Sequence, residues 1–289
     1  MSGLPEGRIV RTFSRMGTLQ VEARNILKWF EDHDDGNQWI VVLGLPPNII
    51  ERLDNDPHTS LGGVTYRFQW EQTTGLIKVV SSHIHEGVTR QFANFVTSKL
   101  VGMGIPLWFG ATTYRFSAGK GKQGDDVFVP PSRCLLTVGW PTLVIETGFS
   151  ESLPRLRQDA FKWFADSNGE VRFVILVKVR SQTFFYEKWY LAPPNAPRPF
   201  TRAYTDMPCS QVPNTPPLIT QPVPVQQPYC ASEVRVTLSA VAGQPNLVVG
   251  APMVFPFVAL YDRLPAPGEN DIFLQQTDFE CMSEVLLLL

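Results

Sequence analysis

Residues 193–228 hold 11 prolines in 36 positions, and no other stretch limits the fold as strongly. Proline fixes φ and lacks an N–H donor, so neither a helix nor a central strand persists there. The block predicts an extended arm or linker over 193–232. It separates a folded part from a C-terminal segment, 233–289, in which strand character returns at Val234–Val241 and Met253–Tyr261. A second change of pattern falls near residue 60. The expected organisation is an N-terminal adaptor over 1–60, a core over 61–192, the arm, and a small C-terminal appendage.

In the adaptor, Leu19, Ala23, Ile26, Leu27 and Phe30 recur at helical spacing, and Trp39–Leu45 reads as a buried strand stopped by two prolines. The core begins with alternating runs at Val64–Trp70 and Leu76–Val80, joined by a hairpin loop. A helix follows, with Val88, Phe92, Phe95, Val96 and Leu100 on one stripe. Trp108–Phe116 and Val127–Val129 read as strands on either side of a flexible Ser117–Gly124 loop. Thr142–Thr147 is a short apolar strand, Glu151–Ala165 has helical periodicity, and Val171–Val179 and Thr183–Leu191 are strands. Hairpin, helix, strands, helix and strands in succession predict an α/β (α+β) chain, a mixed sheet flanked by helices.

The 289 residues suffice for one large domain or two small ones, and 44% apolar with 18% charged residues suits a folded chain. No apolar run reaches the roughly 18–20 residues of a membrane helix. The N-terminus carries no secretory pattern, and the four cysteines contain no C-x-x-C pair. The expected setting is intracellular, cytoplasmic or nuclear, without a membrane. The net charge of −2 conceals a division: residues 61–191 carry 15 Lys/Arg against 10 Asp/Glu, the rest 10 against 17. A basic middle of +5 is the weak footprint of a segment that meets phosphates.

Phosphate-loop, dinucleotide, nucleophile-elbow and H-E-x-x-H signatures are absent from the sequence. Gly119-Lys-Gly-Lys-Gln-Gly124 offers lysines to phosphate but reads more simply as a hairpin loop. His83-Ile-His85 offers two imidazoles without a third ligand at a recognisable spacing. The aromatic residues of Thr183–Leu191 alternate as sheet packing does. The sharper signal is acidic. Glu146 interrupts the apolar strand Thr142–Thr147, where an unpaired carboxylate is costly unless it meets solvent or a cation. Asp126 opens another apolar strand. If the two strands are neighbours, both carboxylates converge at one sheet edge and suit Mg²⁺ or Mn²⁺, whose bound water attacks a phosphodiester. The plain alternative is a strand-end Glu held by backbone N–H groups and an Asp in a turn.

The stretches Asp125-Asp126-Val-Phe-Val-Pro130, Trp140-Pro-Thr-Leu-Val-Ile-Glu-Thr-Gly-Phe-Ser-Glu-Ser-Leu-Pro-Arg-Leu156 and Asp166-Ser-Asn-Gly-Glu-Val171 resemble the PD-(D/E)XK restriction-endonuclease-like superfamily, most closely its uncharacterised fungal members. The resemblance covers roughly 60–191. It implies a restriction-endonuclease-like mixed central sheet, Asp126 as the motif aspartate with Asp125 in the usual place of proline, and Glu146 as the central acid. Glu86 matches an accessory acidic position. The pattern wants lysine two residues past Glu146, and Gly148 stands there.

The superfamily also places this lysine on the following helix, where Lys162 is available and Arg155 and Gln158 are weaker substitutes. Arg155, Asp159 and Lys162 share a helix face by spacing. That face either looks back to the strand end or forms a solvent-exposed charge ladder. Two functions follow as expectations. One is a metal-dependent nuclease, with Asp126 and Glu146 as Mg²⁺ ligands, Lys162 as cation, and DNA as the simplest substrate. The other is an inactive nuclease-like module that binds nucleic acid or protein, with the proline-rich arm as a surface for a second copy or another partner. Ser150 is expected to cap a helix opening at Glu151.

Overall fold

A computed structural model describes residues 8–33, 37–56, 59–80, 83–117, 119–134, 139–149, 151–180, 182–199, 216–241 and 243–284, with only the backbone of Glu31, Asp32 and His83. It is a mixed α/β structure with two six-stranded sheets. The first contains β1 (Ile9–Thr12), β2 (Trp39–Leu43), β3 (Tyr66–Glu71), β4 (Thr74–Val79), β5 (Thr113–Ser117) and β6 (Lys120–Gln123), in the order β1-β2-β4-β3-β6-β5. The second contains β7 (Asp126–Phe128), β8 (Leu143–Gly148), β9 (Phe173–Arg180), β10 (Thr183–Leu191), β11 (Pro228–Thr237) and β12 (Leu247–Val249), in the order β12-β11-β10-β9-β8-β7. Helices α1 (Met16–Asp32), α2 (Pro47–Asn55), α3 (His83–Lys99), α4 (Pro131–Cys134) and α5 (Leu153–Asp166) precede the C-terminal β13 (Met253–Phe255), α6 (Phe257–Tyr261), β14 (Ile272–Leu274) and α7 (Gln276–Glu284).

The strand pleat sorts the first sheet into two faces. Ile40, Val42, Tyr66, Phe68, Ile77 and Val79 pack with Leu19, Ala23 and Ile26 of α1. Trp39, Val41, Leu76, Lys78, Arg67, Gln69 and Lys122 occupy the other face, in register across β2, β4, β3 and β6. That second face turns toward α5, where the Arg155 guanidinium lies 4.9 Å from the Trp39 ring centre. In the second sheet β8 and β9 run parallel, and α5 supplies the crossover that parallel neighbours need. Leu156, Ala160, Trp163 and Phe164 of α5 are fully buried in that core, and α3 and α7 pack on the opposite face through Phe92 and Phe279 against Tyr186. Phe184, Tyr186, Trp189 and Tyr190 are buried as well.

Several expectations change. The division at residue 60 cuts through the first sheet, because β2 pairs with β4 of the expected core and carries β1 on its other side. The Gly/Lys segment is strand β6 rather than a loop, hydrogen-bonded between β3 and β5. Gly121 makes this possible: a Cβ there would stand 2.2 Å from the Trp70 ring. Trp108 forms only a bridge to Phe128, and the strand expected over Trp108–Phe116 begins at Thr113. Met253–Tyr261 splits into β13 and α6. The C-terminal part is no appendage: β11 pairs along β10, and Phe255, Phe257 and Leu260 share one core with β8 and β9. Arg133 and Arg172 both bond Asp262, tying α6 to the second sheet. Of the arm, 200–215 lie outside the described residues, whereas Arg172 also donates to the carbonyls of Pro217 and Ile219, at 3.2 Å each.

Candidate functional site

β7 and β8 are antiparallel neighbours, as the two acidic strands require, but their register separates the expected pair. Asp126 pairs with Ile145, so its side chain shares the α3 face with Ile145, while Glu146 points to the α5 face. Asp126 accepts the N–H groups of Gly110 and Val127, both at 2.9 Å, and faces Arg90 at 3.4 Å. Burial raises its pKa above the usual carboxylate range, against the pull of Arg90. The expected Asp126–Glu146 metal pair is therefore not formed in this geometry: adjacent positions on a pleated ladder alternate in direction.

Asp125, one residue earlier, takes the inward place. Its Oδ2 accepts the Thr147 N–H at 2.8 Å and lies 3.4 Å from Lys78 Nζ and 3.2 Å from His85 Nε2, while Oδ1 lies 3.1 Å from Arg67 Nε. His85 Nε2 also contacts the Thr147 carbonyl at 3.0 Å. Both partners are acceptors, so this nitrogen donates. Burial alone would raise the Asp125 pKa, but His85, Lys78 and Arg67 outweigh it and hold the carboxyl well below the usual range. Glu86, in the first turn of α3, pairs with Arg67 at 2.6 Å and is half exposed. It thus reaches Asp125 only through that guanidinium.

Glu146 Oε1 accepts the Trp163 indole N–H at 2.6 Å and meets Lys122 Nζ at 3.0 Å. The same ammonium lies 2.9 Å from Asp159 Oδ1 and 5.0 Å from the Trp163 ring centre. Burial, opposed by Lys122, raises the Glu146 pKa. Asp159 shifts the other way: burial opposes, but Lys122 and Arg155 prevail. Lys78 bridges Asp125 to Glu151, 3.3 Å away, and Arg155 contacts Asp159 at 3.2 Å and Glu151 at 3.7 Å. Burial pushes Glu151 up to about 7, with Asp159 adding to it. The helix expected to open at Glu151 begins at Leu153, capped by Ser152 without a side-chain bond. Ser150 lies outside the described residues.

Four buried carboxylates (Asp125, Glu146, Glu151, Asp159) thus face four buried cations (Arg67, Lys78, Lys122, Arg155), a formal balance of zero. Three of these cations come from the first sheet and all four acids from the β7–α5 region. Glu146 stands out in the sequence as a lone charge within an apolar strand. Lys78, in Leu76-Ile-Lys-Val-Val80, carries the same signal, and its partners are Asp125 and Glu151.

Lys162 does not reach the cluster. It lines a separate groove with Gln158 and Gln69, and burial lowers its pKa. Arg155 and Asp159 turn inward, so the expected charge ladder is not solvent-exposed. Gly148 pairs laterally with Lys178 of β9. A Cβ at 148 would meet Leu156 at 2.9 Å and Glu151 at 3.2 Å, so a lysine does not fit there without moving α5. Lys178 bends back to the Phe149 carbonyl, and burial, with Arg180 beside it, lowers its pKa to about 8.

A divalent ion does not fit this donor set as it stands. Mg²⁺ keeps several waters in an octahedral shell, whereas the cavity bordered by Lys78, Lys122, Glu146 and Asp159 measures about 20 Å³, room for one water. The space between the carboxylates is taken by ammonium and guanidinium groups. Of the two imidazoles that the sequence offers, His85 is committed to Asp125 and Thr147, and the His83 side chain lies outside what is described.

No family model matches the chain, and no curated protein matches it either. No helix among the described residues is long and apolar enough to cross a membrane.

Proposed function

We propose that this chain is a non-cleaving nucleic-acid-binding module built on a restriction-endonuclease-like core. The order α3, β7, β8, α5, β9, with antiparallel β7/β8 and parallel β8/β9, supports that core, as does the sequence resemblance over 60–191. The observation that carries the non-cleaving part is the placement of Lys78 and Lys122 between the carboxylates. In a hydrolytic site those oxygens would hold a metal ion and its water. Here each is within reach of a cation that the chain supplies, and an added dication would leave a buried excess of positive charge, which is strongly unfavourable. Arg90 and Arg115 pair with Asp126 and Asp54 yet keep 58% and 60% of their side chains exposed, open to a phosphate on the solvent side.

The test is direct. Purified full-length chain is incubated with labelled single-stranded and duplex DNA and RNA, with Mg²⁺ or Mn²⁺, and read by gel retardation and product length. Retardation without shortening is expected, together with no heat of Mn²⁺ binding in calorimetry. Metal-dependent cleavage that disappears in Glu146→Ala would overturn the proposal in favour of the nuclease.

A further inference from the structure

We infer that the groove between α5 and β3 is a binding site for a phosphoryl oxyanion, with Lys162 as its charge and the amides of Gln69 and Gln158 as its neutral donors. The inference rests on the nucleic-acid-binding reading only for the source of the phosphate.

The groove has a volume of about 280 Å³ and is walled by Gln69 and Glu71 of β3 and by Arg155, Gln158, Phe161 and Lys162 of α5. Positions 155, 158 and 162 fall on one stripe of the helix by their spacing. Their charges are not equally free. Arg155 answers Glu151 and Asp159, and Glu71 is held by Lys120 at 2.5 Å. Lys162 has no carboxylate within 4.0 Å and no hydrogen-bond acceptor among the described residues. Asp166, one turn further along α5, acts on it only at longer range.

Gln69 is the second, independent sign. It is only 7% exposed, yet its side-chain amide has no partner among the described residues. Gln69 lines this groove on one side and the small cavity beside Glu146 and Asp159 on the other, so its amide meets solvent-accessible space rather than a protein partner. Gln158, at the outer rim, is likewise unpartnered among the described residues. One free ammonium and two free amides, contributed by two elements across a concave space, match an anion with several acceptor oxygens. The groove exceeds the volume of a phosphate alone, and Phe161 supplies an apolar flank for whatever the phosphate is attached to.

The experiment titrates the full chain with inorganic phosphate at constant ionic strength, followed by calorimetry. Wild type should bind, Lys162→Gln should bind about tenfold more weakly, the loss of one charge-assisted hydrogen bond, and Lys162→Arg should retain binding. Equal urea midpoints of all three exclude an unfolding artefact. No phosphate binding by wild type, or equal binding by Lys162→Gln, would overturn the site. A second arm identifies the source. If phosphate displaces a bound oligonucleotide and Lys162→Gln weakens both, the site holds a phosphodiester. If oligonucleotide binding ignores phosphate and the substitution, the site holds a free phosphorylated molecule. Metal-dependent cleavage would end the non-cleaving proposal without altering the phosphate titration.

Discussion

The two faces of the first sheet are made from the same strands and built from opposite chemistry. Toward α1, Ile40, Val42, Tyr66, Phe68 and Ile77 form a conventional apolar layer. Toward α5, Arg67, Gln69, Lys78 and Lys122 stand in register and are equally buried, each at 9% exposure or less. An alternating strand ordinarily places its polar side in water. Here that side meets a second layer, and the four acids of the β7–α5 region replace the solvent. The apolar face tolerates changes of shape within limits of packing. The charged face tolerates none that alter its balance, because removing one partner strands a buried ion.

The largest effect expected from breaking this contrast is at Lys122. Lys122→Met leaves Glu146 and Asp159 short of their shared cation and should cost about 3–5 kcal/mol in urea unfolding. Adding Glu146→Gln should restore part of the loss. A cost below about 1 kcal/mol would mean that the cluster is screened by water and that the contrast fails. pH offers the next effect. Burial raises Glu151 from the ordinary value of 4.5 to about 7, so between these values the folded chain retains a proton that the unfolded chain has released. Stability should therefore fall as pH rises from about 4.5 to about 7, by roughly 2–3 kcal/mol. Glu151→Gln should flatten this slope. Asp125 and Asp159 act in the opposite sense: their lowered pKa values stabilise the fold above the ordinary carboxylate range, and that contribution is lost in stronger acid. Urea midpoints measured across pH separate the two.

On the apolar face, Gly121→Ala places a methyl against Trp70 and should destabilise by about 1–3 kcal/mol, read as a lowered melting temperature. A neutral result would mean that β6 slides away from the ring. The smallest effect belongs to the rim. Glu86 is half exposed, so Glu86→Gln should cost under about 1 kcal/mol, with the difference vanishing in high salt. A loss as large as that of Lys122→Met would make Glu86 part of the buried cluster.

Strands and helices of the middle of the chain were legible because their periodicities are clean: the hairpin β3/β4, the stripe of α3, the apolar β8 and β9, and the amphipathic α5. The cluster itself was half legible. A carboxylate inside an apolar strand marked Glu146, but its direction relative to Asp126 depends on a one-residue register that no periodicity specifies. Strand β6 was not legible. Lys120-Gly-Lys-Gln123 has a loop's composition, and it pairs as a strand because Trp70 needs a bare backbone beside it and Asp159 needs an ammonium. The prolines past 193 could not reveal that β11 opens at Pro228 and returns to the same sheet, a pairing between residues far apart in sequence.

The order of the charges along the chain has a consequence for synthesis. Arg67, Lys78 and Lys122 leave the ribosome before Asp125, Glu146, Glu151 and Asp159 exist as translated residues. Until those acids emerge, the cationic face of the first sheet has only water to satisfy it, and domains that would otherwise fold from the N-terminus first must wait. The first sheet should therefore complete only after α5 has been made, so a nascent chain stalled short of residue 159 would remain protease-sensitive throughout its first half.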